Sequence, residues 1–340
     1  MVLHVLDALA QLRLDQCVVV VGHRAEWVTK TLAEEAPAGR TLVFVHQERQ
    51  RGTGDAVSVG LTGLSGVGPH VGGDVIVVPG DTPLLTHETL FELVSHHRNS
   101  GAGATLLTAN LSDPYGYGRV VRGKNTAVLG VVEETDATVT QIKIGEVNTS
   151  IYCFRQEVLA PALRRLRPQN AQGEYYLTDV ISVLVTAGFG VEALCVKDPA
   201  EAAGVNDRVQ LAYAEAALRR RINNAWMRSG VTMIDPERVA IDTTVEIGAD
   251  VTLWPGVVLK GATRIGAGSE IGPDSTVSDA TIGERSELKN CVVERAHVGD
   301  DVKVGPYCVL SAGAWIENGE VVAPFTLREA QVNPPTSSAN

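Results

Sequence analysis

Val75-Ile-Val-Val-Pro-Gly-Asp81-Thr-Pro-Leu-Leu85 joins a run of β-branched residues to an acid across a Pro-Gly step. Such a run reads as a buried strand. A carboxylate at the carboxyl end of a buried parallel strand stands where open α/β sheets bind ligands. It is also an oxygen donor suited to Mg²⁺, which is held by one or two carboxylate-type groups together with substrate phosphates. The stretch therefore points to phosphate chemistry on a nucleotide, with Asp81 as the metal ligand. Asp followed by Thr-Pro is equally a turn or a helix start, and from these eleven residues the two readings weigh evenly.

Alternation of strand and helix signals spreads outward from this strand over residues 1 to 228. Strands are expected at Cys17–Val21, Leu42–Val45, Val75–Val78, Ala104–Ala109, Val128–Val132, Ser150–Phe154 and Val191–Val196. Helices are expected at Val2–Leu12, Ala25–Glu35, Asp55–Leu61, His87–His97, Tyr176–Ala187 and Val209–Met227. This is the pattern of a Rossmann-like α/β domain, a mostly parallel sheet in three layers. The glycine-rich segment from Gly63 to Gly73 reads as an exposed loop. Met1-Val-Leu-His-Val-Leu-Asp-Ala-Leu has the pattern of an amphipathic helix that opens without a cap, which implies a preceding segment in a complete domain.

From Ile241 the period changes. Aliphatic residues recur at Ile241, Ile247, Leu253, Leu259, Ile265, Ile271, Val277, Ile282, Leu288, Val293, Val298, Val304, Leu310, Ile316 and Val322. Most steps are six residues and three are five. A sustained hexapeptide period marks a parallel β-helix in which each repeat supplies one face of a triangular coil. At three faces per coil, these positions make about five coils. The expected organisation is a nucleotide-handling domain at 1–228, a short left-handed β-helix at 229–328, and a disordered tail at 329–340.

The chain has 340 residues, 44% of them hydrophobic, and a net charge of −11. It carries no basic footprint for nucleic acid or an anionic membrane. No apolar run has the length of a membrane span and no signal peptide is present. Cys17, Cys153, Cys195, Cys291 and Cys308 form no CxxC pair and are odd in number, so neither a disulfide framework nor a zinc site is indicated, and a cytoplasmic location is expected. The histidines show no metal-ligand spacing; His96 and His97, adjacent on a helix, read as surface or packing residues.

Five further motifs each have two readings. Gln47-Glu-Arg-Gln-Arg-Gly52-Thr53-Gly54-Asp55-Ala56 opens a helix with a glycine-rich turn that suits an anion or a polar base edge; taken alone, a plain helix start with Asp55 as a first-turn acid is the preferred reading. Asp113-Pro-Tyr-Gly-Tyr-Gly118-Arg119 is a sugar-gripping loop or a tight turn. Asn170-Ala-Gln-Gly-Glu-Tyr-Tyr-Leu-Thr178-Asp179 offers ligands or helix caps. Asn148, in Glu146-Val-Asn148-Thr-Ser, suits a sugar hydroxyl or the backbone at a strand end. In Gly204-Val-Asn206-Asp207-Arg208, either Asn206 or Asp207 caps the following helix, or Asn206 is a second oxygen ligand facing Asp81.

Taken together and in order, with Val132-Glu133-Glu-Thr-Asp-Ala-Thr138 between the second and fourth, these motifs resemble the uridylyltransferase half of the bifunctional N-acetylglucosamine-1-phosphate uridylyltransferase/glucosamine-1-phosphate acetyltransferase family. The likeness covers residues 1 to about 310. It implies attack of N-acetylglucosamine 1-phosphate on the α-phosphorus of UTP, with Mg²⁺ held by Asp81 and Asn206. Gln47, Gly52 and Thr53 are implied to contact uracil with Gly80 beside them, and Gly118, Glu133 and Asn148 to read the amino sugar. It also implies a homotrimer through the β-helix.

Two departures qualify the likeness. The family opens with a strand and a loop of the type Leu-Ala-Ala-Gly-x-Gly-Thr-Arg-Met, followed by a lysine, that cradles the triphosphate. Met1–Asp7 aligns with the helix after that loop, so the cradle and a central strand are not in this sequence; a start placed downstream of the true one is the preferred reading over a truncated, inactive chain. Where the family has Leu-Arg-Pro-Gly, this chain has Leu310-Ser311-Ala312-Gly313. With serine at the phosphate-binding arginine, and without the later coils, no acetyl transfer is expected. Transfer to another sugar 1-phosphate, and a non-catalytic nucleotide-sugar-binding homologue, are the competing readings.

Overall fold

The structure, a computed structural model, describes residues 1–36, 41–64 and 73–330. The loop expected at Gly63–Gly73 and the tail from 331 lie largely or wholly outside these residues. The chain divides into two compact units, Met1–Ala214 and Glu215–Asn340.

The first unit runs α1 (Val2–Ala10), β1 (Cys17–Val21), α2 (Ala25–Glu35), β2 (Leu42–His46), α3 (Thr53–Leu61), β3 (Asp74–Val77), α4 (His87–Ser100), β4 (Ala104–Asn110), β5 (Arg119–Arg122), β6 (Val128–Val132), β7 (Glu146–Arg155), α5 (Gln156–Leu163), α6 (Asp179–Thr186) and β8 (Val191–Cys195), and α7 (Arg208–Arg228) begins in the first unit and ends in the second. Every strand and helix expected from the sequence is present, and β5 and α5 are added to them.

Six strands form one sheet in the order β6-β5-β7-β4-β8, with β3 also paired to β7. β7 runs antiparallel to β3, β4 and β5, and β8 is parallel to β4. β3, β4, β5 and β8 thus point one way, and β7 threads back between them. β1 and β2 pair in parallel as a separate two-stranded sheet. α3 holds that pair to the rest. A Cβ placed on Gly60 would stand 2.9 Å from Val20, while Val57 and Leu61 pack on the core formed with Val75, Val77 and α6. A second core lies between α1, α4 and the sheet, built on Leu90, Leu93, Leu107, Val147 and Ile151.

The second unit is a parallel β-helix. Three sheets of short strands stack coil upon coil, two with six strands and one with five. The hexapeptide register holds through the shortened coils: Ile271 pairs with Leu288, and Val277 with Val293. The repeating aliphatic residues point inward, and all but the partly buried Ile247 are at most 5% exposed. Asp and Asn take left-handed conformations at Asp250, Asp274, Asp279, Asn290 and Asp301, the residues that tolerate this region best after glycine. Ile222, Trp226 and Met227 of α7 pack on this core, and Asn223 Nδ2 donates to the carbonyls of Pro236 (2.7 Å) and Val239 (2.9 Å).

Candidate active site

Asp81 lies in the turn that ends β3, and the fold brings the remote Gly204-Val-Asn206 segment to it. The backbone N–H of Val205 donates to the Asp81 carbonyl at 2.9 Å. A Cβ on Gly204 would stand 3.8 Å from all three atoms of the Asp81 carboxyl group. The same segment is clamped one turn earlier: Thr86 and Thr89, in the first turn of α4, both donate to Glu201 Oε2 at 2.6 Å.

The capping bond at the start of α7 is made by Asp207 rather than by Asn206, the Asp207 Oδ1 accepting from the Gln210 N–H at 2.7 Å. Gln210 Oε1 accepts from the Asn206 N–H in return, a reciprocal cap. The exposed Asn206 amide is therefore not spent on the helix.

Burial pushes the Asp81 carboxyl above the usual range, opposed by its own backbone N–H. No lysine or arginine forms an ion pair with it among the described residues. A desolvated carboxylate with no protein cation is a fitting ligand for a hard divalent ion. Gly80 is exposed, and a Cβ there would meet Val2 of α1 at 3.1 Å.

Gln47, Gly52 and Thr53 form a second group, joined to the Asn170–Asp179 segment. Gln47 Nε2 donates to Asp55 Oδ2 at 2.8 Å, and Arg51 pairs with the same carboxylate at 3.2 Å. Asp55 is thus held by two partners, which a simple dipole-complementing acid is not. Gly52 has φ 108°, and a Cβ there would stand 2.6 Å from the Tyr175 carbonyl oxygen. Its glycine is required by the Tyr175 backbone, whatever ligand it also meets. Thr53 Oγ accepts from the Leu177 N–H at 3.0 Å.

Gly118, Glu133 and Asn148 come together as a third group. The Asn148 N–H donates to the Gly118 carbonyl at 2.8 Å. A Cβ on Gly118 would lie 3.2 Å from Glu133 Oε2, so a larger residue would crowd that carboxylate. Thr178 Oγ donates to Glu133 Oε1 at 2.9 Å; its side chain makes no capping bond to α6, which removes the helix-cap reading for this residue. Burial raises the Glu133 carboxyl, the Thr178 hydrogen bond lowers it, and Asp179 and Asp136 raise it further.

Arg119 is a participant that sequence reasoning left as the last letter of a turn motif. It is 1% exposed. Its guanidinium donates to the carbonyls of Tyr117 and Ile142 and to Glu134 Oε2 at 3.1 Å, while Glu134 also accepts from the Gly116 N–H at 2.6 Å. This buried ion pair pins the Asp113–Gly118 turn against the Glu133 side of the site. No signal in the sequence separates such an arginine from an exposed one.

The raised Glu133 carboxyl has a measurable consequence. A carboxyl whose folded pKa exceeds its unfolded value favours folding while protonated, and that contribution is lost as pH rises from the ordinary value of 4.5 through the folded one. Glu133→Gln keeps the Thr178 acceptor and removes the titration. Its melting temperature relative to the parent chain is expected to climb between pH 4 and pH 7, and differential scanning calorimetry across that range checks it.

Residues 1–227 match the nucleotidyl transferase family model, and residues 244–279 match that of the six-repeat bacterial transferase hexapeptide, which belongs to a left-handed β-helix. Proteins named "bifunctional protein GlmU" are similar over nearly the whole chain. The one from Carboxydothermus hydrogenoformans is 45% identical over 326 residues, 96% of this chain and 70% of that protein. That of Halalkalibacterium halodurans is 42% identical over 325 residues, 96% and 69%. That of Streptomyces avermitilis is 46% identical over 311 residues, 91% and 63%. The strand-end acid, the loops gathered around it and these likenesses agree: the chain belongs to the nucleotidyl transferase family, among the relatives of the bifunctional GlmU proteins.

Proposed function

We propose that the first unit transfers a uridylyl group from UTP to N-acetylglucosamine 1-phosphate, giving UDP-N-acetylglucosamine and pyrophosphate. The observation that carries this reading is the Asp81 carboxyl group set against Gly204-Val-Asn206 at the end of β3. The phosphate of the sugar is the nucleophile and is already ionised at neutral pH. It forms a bond to the α-phosphorus as the bond to pyrophosphate breaks, and no general base is needed. Alignment and neutralisation of charge are then the whole catalytic task.

Asp81 and Asn206 would hold Mg²⁺. When bound there, the ion supplies charge neutralisation at the phosphate oxygens. The protein's own groups do the rest. Gln47, Gly52 and Thr53 border the uracil, with Gly80 alongside. Gly118 leaves room beside Glu133, and Glu133 and Asn148 supply polar atoms for the amino sugar. The free thiols suit a reducing cytoplasm, and no described helix is long and apolar enough to cross a membrane.

The β-helix is assigned to self-association as a trimer. One of its three sheets turns Val292, Val309 and Leu327 outward in register, all exposed. Tyr307 and Phe325 stack beside them at 5.3 Å between ring centroids. In the corresponding columns the other two sheets carry Glu246 and Arg264 with Trp315 further along, and Glu287 and Lys303 with Val321 further along. No acetyl transfer is assigned, because Ser311 stands where the family's phosphate-binding arginine is expected.

Three outcomes test these assignments. Pyrophosphate release from UTP should require both N-acetylglucosamine 1-phosphate and Mg²⁺, measured for the 340-residue chain and for the same chain carrying its upstream in-frame sequence. Asp81→Asn should lower it by at least about 100-fold; no release from either form would leave the non-catalytic binding reading in its place. With glucosamine 1-phosphate and acetyl-CoA no thiol should be released, and steady turnover would refute that assignment. Light scattering should give three times the chain mass, reduced to one by Leu327→Glu; a monomeric parent chain would remove the trimer.

A further inference from the structure

A depression of about 260 Å³ lies between α3 and the turn that follows α5. Arg51, Arg164 and Arg167 line it, together with Asp55, Ser58 and Tyr175. Three guanidinium groups from two distant parts of the sequence thus border one space, in a protein whose net charge is −11. Such a protein repels anions in general, so an anion held here would be held by local groups.

Among the described residues that line the depression, Asp55 is the one carboxylate. It pairs with Arg51 at 3.2 Å and accepts from Gln47 at 2.8 Å, so its charge is already matched. Arg164 and Arg167 form no ion pair among the described residues; the Arg167 guanidinium reaches the Leu166 carbonyl at 3.4 Å. Cations in the last turn of a helix complement its dipole, and this accounts for Arg164 at the end of α5. It does not account for Arg51, which arrives on the same space from the loop before α3.

The walls are fixed by packing. Leu163 and Leu166, which alternate with the arginines, are 7% and 3% exposed and belong to the core shared with α6. The Gly54 N–H donates to the Tyr175 carbonyl at 2.7 Å. A Cβ on Gly54 would stand 2.6 Å from Leu166 Cδ1. The start of α3, the turn after α5 and the Tyr175 segment therefore touch one another, and the arginines emerge from a rigid frame.

We infer that this depression binds an anion with two or more linked phosphoryl groups, the chemistry of an inorganic diphosphate or of a nucleotide's phosphate chain. Guanidinium forks match phosphate oxygens in pairs. With Asp55 matched by Arg51, two further cations remain, which calls for more than one negative charge. Asp81, Asn206, Gly118, Glu133 and Asn148 do not line the depression, so the site is distinct from the reaction centre and does not rest on the activity assigned to it.

Calorimetric titration of the 340-residue chain with inorganic pyrophosphate, without divalent metal, tests the site. One saturable site per chain is expected. Arg164→Gln with Arg167→Gln should weaken it by at least about 10-fold, with the melting temperature unchanged because both side chains are exposed. Asp81→Asn should leave it intact, and inorganic phosphate should bind at least about 10-fold more weakly. In the ¹⁵N-labelled chain the amide signals of residues 51–58 and 163–167 should shift on titration. Displacement of pyrophosphate by UTP would name nucleotide phosphates as an occupant, and no displacement would restrict the site to the free anion. Absence of saturable binding, equal affinity for the single phosphate, equal affinity in the double variant, or shifts confined to other residues would each overturn the inference. Binding lost in Asp81→Asn would also overturn it, by placing the anion at the cation centre.

Discussion

The hydrogen bond from the Val205 N–H to the Asp81 carbonyl is the junction on which the site depends. Asp81 lies in the turn after β3, and Val205 lies just upstream of α7. Nothing local draws them together. What does so is the sheet that carries β3, and the double donation of Thr86 and Thr89 to Glu201. That clamp ties the first turn of α4, just downstream of Asp81, to the segment just upstream of Asn206. That backbone bond joins two segments more than a hundred residues apart in sequence.

The other two groups follow the same logic of loop held by loop. The Gly52 turn is pressed on the Tyr175 backbone, and the Glu133 carboxylate is anchored by Thr178 from the same Asn170–Asp179 region. One segment therefore braces both the nucleotide side and the sugar side. Buried Arg119 braces the remaining turn. In each case polar groups that could serve a substrate are first oriented by protein partners, which is what preorganised catalysis requires.

Much of this was legible in the residues. β-Branched runs marked β1 to β4, and the hexapeptide period marked the β-helix, because inward burial at every sixth residue leaves a pattern that no other arrangement of this length produces. β5 escaped because it offers only Val120 and Val121 between two arginines, one of them buried by an ion pair that composition does not reveal. α5 escaped because Pro161 lies inside it and argues against a helix. β7 extends from Glu146 to Arg155 rather than starting at Ser150, since the irregular Ser150, with φ 61°, divides a single strand into two apparent pieces. Asp81 and Asn206 could be proposed as partners from ordered motifs, whereas the Thr178–Glu133 bond depends on where side chains point, and pattern does not carry that.

The central claim is that Asp81 and the Gly204–Asn206 segment form one cation-binding centre for a nucleotide. Paramagnetic line broadening by Mn²⁺ in the presence of UTP tests it directly on the ¹⁵N-labelled chain. Amide signals of residues 80–82 and 204–207 should broaden first and together, with those of the β-helix unaffected. Broadening confined to one of the two segments, or centred elsewhere in the chain, would contradict the account.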